Sequence, residues 1–260
     1  MSDGGSVELV LAEFGFDREN AGKADLSVHS RLNPTLDSFR ERFPDARVTL
    51  YTDVDIEADG IDRRTVEPPF DRAHPRYGWR ASNYFQAWGM RHSDADVAIA
   101  MDADMKIVSP AFRRIVPIAT RFGLAVPANP RCLVWINGSK GLDADYDRSV
   151  DPTRGNGFAY NHSPMACAPA HERARAFLDA YLRLSVERPG RGTHLLWEAA
   201  WESGVHPYLL PFPWCVCTRK HTRSRYLDGS EIALHVGHPD VEPRYREVRR
   251  SSRFRDWLSG

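Results

Sequence analysis

One segment limits the possible folds more than any other. Val97-Ala-Ile-Ala-Met101 is an unbroken apolar run that gives way at once to Asp102-Ala-Asp104. Five apolar residues without alternation suit a strand covered on both faces, the situation inside an α/β sheet. The flanking sequence alternates in the same sense. Strands are expected at Val7–Leu11, Val48–Tyr51, Leu124–Val126, Met165–Ala168 and Ile232–Val236. Helices are expected at Asn33–Phe43, Pro110–Phe122, Ala170–Ser185 and Thr193–Ser203, with Pro110 in a first turn and Thr193 as an N-cap. Ala81, Tyr84, Phe85 and Trp88 fall on one face of a further helix. The fold class that follows is α/β: a largely parallel, mixed sheet flanked by helices.

Composition narrows the function. In 260 residues, 35 Lys and Arg balance 35 Asp and Glu, which argues against a nucleic-acid-coating or membrane-surface protein. With 42% hydrophobic and 27% charged residues the chain is globular in kind. No apolar run reaches the roughly 20 residues of a membrane span, and the first residues lack the basic start and apolar stretch of a secretory signal. A cytoplasmic location is therefore expected. Cys132, Cys167, Cys215 and Cys217 contain no Cys-x-x-Cys pair and read as reduced, mostly buried thiols. No repeat is visible, so one domain over residues 7–240 is expected, with a disordered segment at 1–6 and a basic tail or helix at 241–260.

Two carboxylates at i and i+2 just beyond a buried strand repel one another unless a cation lies between them. In α/β sheets the ligand crevice lies outside the carboxyl ends of the strands, which is where Asp102 and Asp104 fall. An oxygen-rich site of this kind suits Mg²⁺ or Mn²⁺, with water and phosphate completing the shell. Asp94-Ala-Asp96 precedes the same strand and reads as a solvated pair at its amino end.

The stretch from Tyr77 to Pro110, Tyr-Gly-Trp-Arg-Ala-Ser-Asn-Tyr-Phe through Asp-Ala-Asp and on to Ser-Pro, resembles the core of GT-A-fold glycosyltransferases. Asn156-Gly-Phe-Ala-Tyr-Asn-His-Ser-Pro-Met165 looks like the strand that lines the sugar site in such enzymes. Leu234-His235-Val-Gly237 is similar to the late His-x-x-Gly segment of glycogenin-like retaining transferases. Two family features are absent: His238-Pro-Asp240 stands where Lys-Pro-Trp is usual, and His194 to Glu198 where Asp-Gln is usual. The resemblance implies a GT-A-like Rossmann-type single domain and a metal-dependent transfer from a nucleotide sugar, UDP-sugar favoured, to an unknown acceptor. It implies Asp102, Asp104 and His235 as ligands of Mn²⁺ or Mg²⁺, with Asp102 alternatively holding ribose or a coordinated water and His238 competing with His235. Arg80 falls where a basic residue touches the donor, and Asn156 where the sugar binds.

Other residues carry two readings each. Phe14 and Phe16 can stack on a nucleobase or pack in the core. Asp53, ending the second strand, can hold a base or ribose or cap a loop. Arg80 can meet a diphosphate or be the solvated flank of its helix. Glu198, between Trp197 and Trp201, suits a sugar acceptor site and a general base, or simply faces outward from a packed helix. The basic stretch Arg219 to Arg225 can close over a diphosphate or be solvated surface.

Three alternatives share parts of the pattern. A nucleotidyltransferase would share the fold and the metal, with a Gly-rich, Arg-containing loop after the first strand, where Glu13-Phe-Gly-Phe-Asp-Arg18 stands. A phosphohydrolase of the haloacid-dehalogenase type would use Asp102 as nucleophile, but Lys106 occupies a position where Thr or Val is needed. A nucleotide-sugar-binding domain without turnover would keep the fold alone.

Overall fold

The computed structural model describes residues 5–14, 35–53, 60–74, 77–132, 158–188, 192–217, 230–235 and 241. Asn156, His238, Phe16, the Arg219 to Arg225 stretch and the 242–260 tail lie outside these.

The main sheet begins with four parallel strands in the order β3 (Asp62–Thr65), β2 (Arg47–Thr52), β1 (Val7–Glu13) and β4 (Val97–Ala100). Every residue of β4 is buried, which accounts for its unbroken apolar sequence, and the five central residues of β1 are buried too, four of them apolar and the fifth Glu8. The sheet continues through β8 (Met165–Cys167), antiparallel to both β4 and the long β6 (Leu124–Cys132). Strand β7 (Phe158–Tyr160) pairs antiparallel with β6, and β9 (Tyr208–Leu210) pairs parallel with it. The sheet is thus largely parallel and mixed, as the alternation of elements predicts, with β8 as the antiparallel member between β4 and β6. A separate two-stranded ribbon joins β5 (Met105–Ile107) and β10 (Ala233–His235) in antiparallel pairing.

Helices cover both faces. On one, α1 (residues 35–40) and α3 (Ile115–Phe122) pack with the Leu9, Leu11, Ile99 and Met101 side chains. On the other, α2 (Tyr77–His92), α4 (Glu172–Glu187) and α5 (Gly192–Ser203) pack with Val10, Ala98 and Ala100. The alternation of residue numbers between these two clusters is the period of two expected of strands buried on both faces. The helix expected over Pro110–Phe122 is split into a 3₁₀ turn, Pro110–Arg114, and α3, with Pro117 accommodated in the first turn of the latter.

The packing of α2 on the sheet is close. A Cβ on Gly89 would lie 2.6 Å from Tyr51 Cε2 and 2.6 Å from Val10 Cγ1, so no larger residue fits without displacing helix or sheet. Because β1, β2 and β4 run in parallel, the residues that follow them emerge at one edge. That edge carries Phe14, Asp53 and Asp102.

Candidate metal centre

The centre is built on the turn after β4. Met101 still pairs with β1 through its N–H and the Val10 carbonyl, 3.2 Å, and the chain then leaves the sheet. Helix α1 holds the turn from below. Thr35 Oγ1 accepts the Met105 N–H at 3.0 Å and lies 2.6 Å from the Met105 carbonyl and 2.7 Å from that of Ala103, one of which takes its proton. Ser38 Oγ accepts the Ile107 N–H at 3.0 Å. On the other side, Ser163 Oγ accepts the Asp102 N–H at 2.7 Å. Gln86, on α2, donates from Nε2 to Asp102 Oδ1 at 3.0 Å and to the Met101 carbonyl at 3.2 Å.

The third group arrives by sheet register. In the β5–β10 ribbon His235 pairs with Met105, the residue after Asp104. A bridge from Val216, whose carbonyl accepts the His235 N–H at 3.0 Å, fixes β10 from its other side. His235 Nε2 thereby lies 2.8 Å from Asp104 Oδ1 and 3.6 Å from Asp102 Oδ2. Ligand atoms of all three residues lie within 4.8 Å of one another. Asp104 is 4% exposed at its side chain and Asp102 30%, so the cluster has a buried floor and an open side.

The donor set fits a hard divalent cation. Two neighbouring ligands at about 2.1 Å from an octahedral ion are about 3.0 Å apart, and the observed separations bracket that value. Two carboxylates offset the ion's charge, and neutral imidazole is an accepted ligand for Mn²⁺ and its neighbours. The same three residues proposed from the sequence are the ones the fold brings together.

The remaining sequence candidates have other surroundings. Phe14 is 4% exposed and stacks on Phe85 with centroids 5.1 Å apart, so its ring packs in the core in this structure. Asp53 accepts the Tyr77 hydroxyl at 3.2 Å and pairs with Arg72 at 3.6 Å. Burial, with the Asp53 charge beside it, pushes the Tyr77 phenol up to about 12. Arg80 lies over the Phe70 ring at 4.5 Å and donates to the Ser185 carbonyl at 3.1 Å, at the seam between α2 and α4. Glu198 is buried and bound to Arg188, and Trp197 stacks on the half-exposed Trp201.

Two site residues, Thr35 and Gln86, escaped the sequence reading, and His162 and Ser163 lie in the 156–165 segment that the resemblance placed at the sugar site, with no role given to either. His162 is buried with its Nε2 2.8 Å from the Tyr181 hydroxyl. Burial pushes its pKa down to about 4, against the opposing pull of the Asp102 charge and a backbone contact with Gly192, so the ring is neutral at physiological pH. Gly192 abuts it: a Cβ there would meet Asn83 Nδ2 at 2.5 Å and His162 Nε2 at 2.6 Å. One signal for Gln86 was present, because it shares the four-residue row of α2 with the buried Met90 and is polar at a core position.

No family model matches the chain, and no curated protein matches it. Among solved structures it is similar to 2-C-methyl-D-erythritol 4-phosphate cytidylyltransferase from Thermus thermophilus, at 18% identity over 80% of this chain and 88% of that one, with a TM-score of 0.44. At that distance the likeness concerns the α/β architecture and nothing finer. The glycosyltransferase reading is corrected at this point: this similar structure is named a cytidylyltransferase, the class that the sequence reading held as an alternative. Among the described residues, no helix is long and apolar enough to cross a membrane.

Proposed function

We propose that this chain is a divalent-cation-dependent nucleotidyltransferase, an enzyme that moves a nucleoside monophosphate from a nucleoside triphosphate to an acceptor oxygen. The observation that carries the reading is the convergence of Asp102, Asp104 and His235 beyond the carboxyl ends of parallel strands, where α/β folds bind nucleotides. In the reaction an acceptor oxygen attacks the α-phosphorus, the bond to the pyrophosphate oxygen breaks, and its electron pair leaves with pyrophosphate. A divalent cation held by the three residues would supply positive charge to that leaving group.

The residues of the chain supply position. Asp104, rigid between Thr35's turn and His235, offers a buried ligand that water cannot easily replace. Asp102 stands at the open side, where a triphosphate can approach. Neutral His162 and Tyr181 offer hydrogen-bonding groups beside the same turn without adding net charge. Arg80 and Glu198 have no part in this reading.

The test has two stages. Binding of ATP, CTP, GTP and UTP is measured by calorimetry with Mn²⁺, with Mg²⁺ and with EDTA. Pyrophosphate release is then followed with sugar phosphates and polyol phosphates as acceptors. Cation-dependent binding of one triphosphate, with acceptor-dependent pyrophosphate release that Asp104→Asn abolishes, is the expected result. Triphosphate binding indifferent to both cation and Asp104 would overturn it.

A further inference from the structure

Gln86 occupies an unusual place. Its side chain is fully buried, yet α2 packs there against strands lined by Val10, Ala98 and Ala100. Its Nε2 has two N–H groups and both are used, one on the Met101 carbonyl and one on Asp102 Oδ1. The opposite amide orientation would set an oxygen against two acceptors, so the chemistry of the partners fixes the orientation. Its Oε1, by contrast, is buried without a hydrogen-bond partner. A buried acceptor left unsatisfied is unfavourable, and an apolar residue of the same length would avoid that cost. The Gln86 amide is therefore poorly explained by packing and well explained by Asp102.

We infer that Gln86 is a positioning residue for the metal centre, which rests on the reading of that centre given above. By holding Oδ1, it leaves Oδ2 as the Asp102 oxygen that faces His235 Nε2, at 3.6 Å. Asp102 is thus set to bind an ion through one oxygen, leaving the remaining positions at the open side for phosphate or water. Ser163 supports the same arrangement from the backbone, accepting the Asp102 N–H. Partners of this kind, which orient a ligand without touching the ion, change metal affinity by about 10–100-fold when removed.

The probe is Mn²⁺ alone, with no nucleotide. Free Mn²⁺ is titrated by electron paramagnetic resonance against wild type, Gln86→Met and Gln86→Asn, with circular dichroism to establish that each variant is folded. Gln86→Met keeps the volume and removes the donor; Gln86→Asn keeps the amide and withdraws its reach. Both are expected to weaken Mn²⁺ binding about 10–100-fold. Both are also expected to change the visible spectrum of the Co²⁺-loaded protein, because Asp102 becomes free to present both oxygens. Unchanged affinity and spectrum in a folded variant would overturn the inference and leave the metal centre standing. Absence of Mn²⁺ binding by wild type would instead overturn the metal centre itself.

Discussion

Replacing Asp104 with Asn separates the two states of the centre. Asn has nearly the shape of Asp but is a far weaker ligand for a hard cation. Asp104 supplies one of three protein donors and one of two negative charges, at a side chain only 4% exposed. Losing a partner of a ligand costs about 10–100-fold in metal affinity, so losing the ligand itself is set at about 100-fold or more. With Mn²⁺ at about 100 times the wild-type dissociation constant, wild type gains about 2.7 kcal/mol of stability. For a chain of this size that corresponds to roughly 5–10 °C in Tm. Asp104→Asn at the same Mn²⁺ concentration then sits near its own dissociation constant and gains only about 0.4 kcal/mol, roughly 1–2 °C. Without metal the sign reverses: the two converging carboxylates repel, so the variant is expected to melt at or above wild type. The assay is differential scanning fluorimetry at pH 8 with Mn²⁺ and with EDTA. A variant that keeps the full Mn²⁺ shift, or a wild type that shows none, would refute the reasoning.

Two further outcomes test the scaffold. Gly89→Ala gains helix propensity of about 1 kcal/mol but drives a methyl to 2.6 Å from Tyr51 and Val10, and the overpacking is expected to win, lowering stability by about 1–3 kcal/mol in urea unfolding. Glu8 is buried on β1, and burial pushes its pKa up, but hydrogen bonds from Arg47, Ser93 and Thr49 together push it further down, so the net shift is downward. A carboxylate with a depressed folded pKa contributes stability that is present above its unfolded pKa, near 4.5, and lost as pH falls through the folded value. Glu8→Gln is expected to cost roughly 1–3 kcal/mol at pH 7 and to flatten the acid limb of the stability profile below about pH 5; an unchanged acid limb would contradict the assignment.

The parts of this molecule that were legible in the sequence are those in which local pattern and burial coincide. Strand β4 announced itself because both its faces are covered, and the switch to Asp102 and Asp104 marked the point where the chain leaves the sheet. His235 was reached only through a family resemblance whose functional conclusion did not hold, although the residue itself does face the two aspartates. Strand β3 left no apolar signal because all four of its residues are exposed at a charged edge. Thr35 and Gln86 act through contacts that the fold alone creates: Thr35 meets a turn nearly seventy residues away. The flanking indoles of Glu198 were visible for the same reason that its partner Arg188 was not: adjacency in sequence shows the former, and only the fold shows the latter. Phe14 had an equal claim to core and ligand in the sequence, because the Phe85 ring that stacks on it comes from a helix some seventy residues away.

The most direct measurement is anomalous X-ray diffraction from a crystal of the protein grown with Mn²⁺. The account predicts one strong anomalous peak about 2.0–2.3 Å from Asp102 Oδ2, Asp104 Oδ1 and His235 Nε2, with Asp102 Oδ1 still on Gln86. A map without a peak there, with His235 Nε2 remaining 2.8 Å from Asp104 Oδ1, would contradict it.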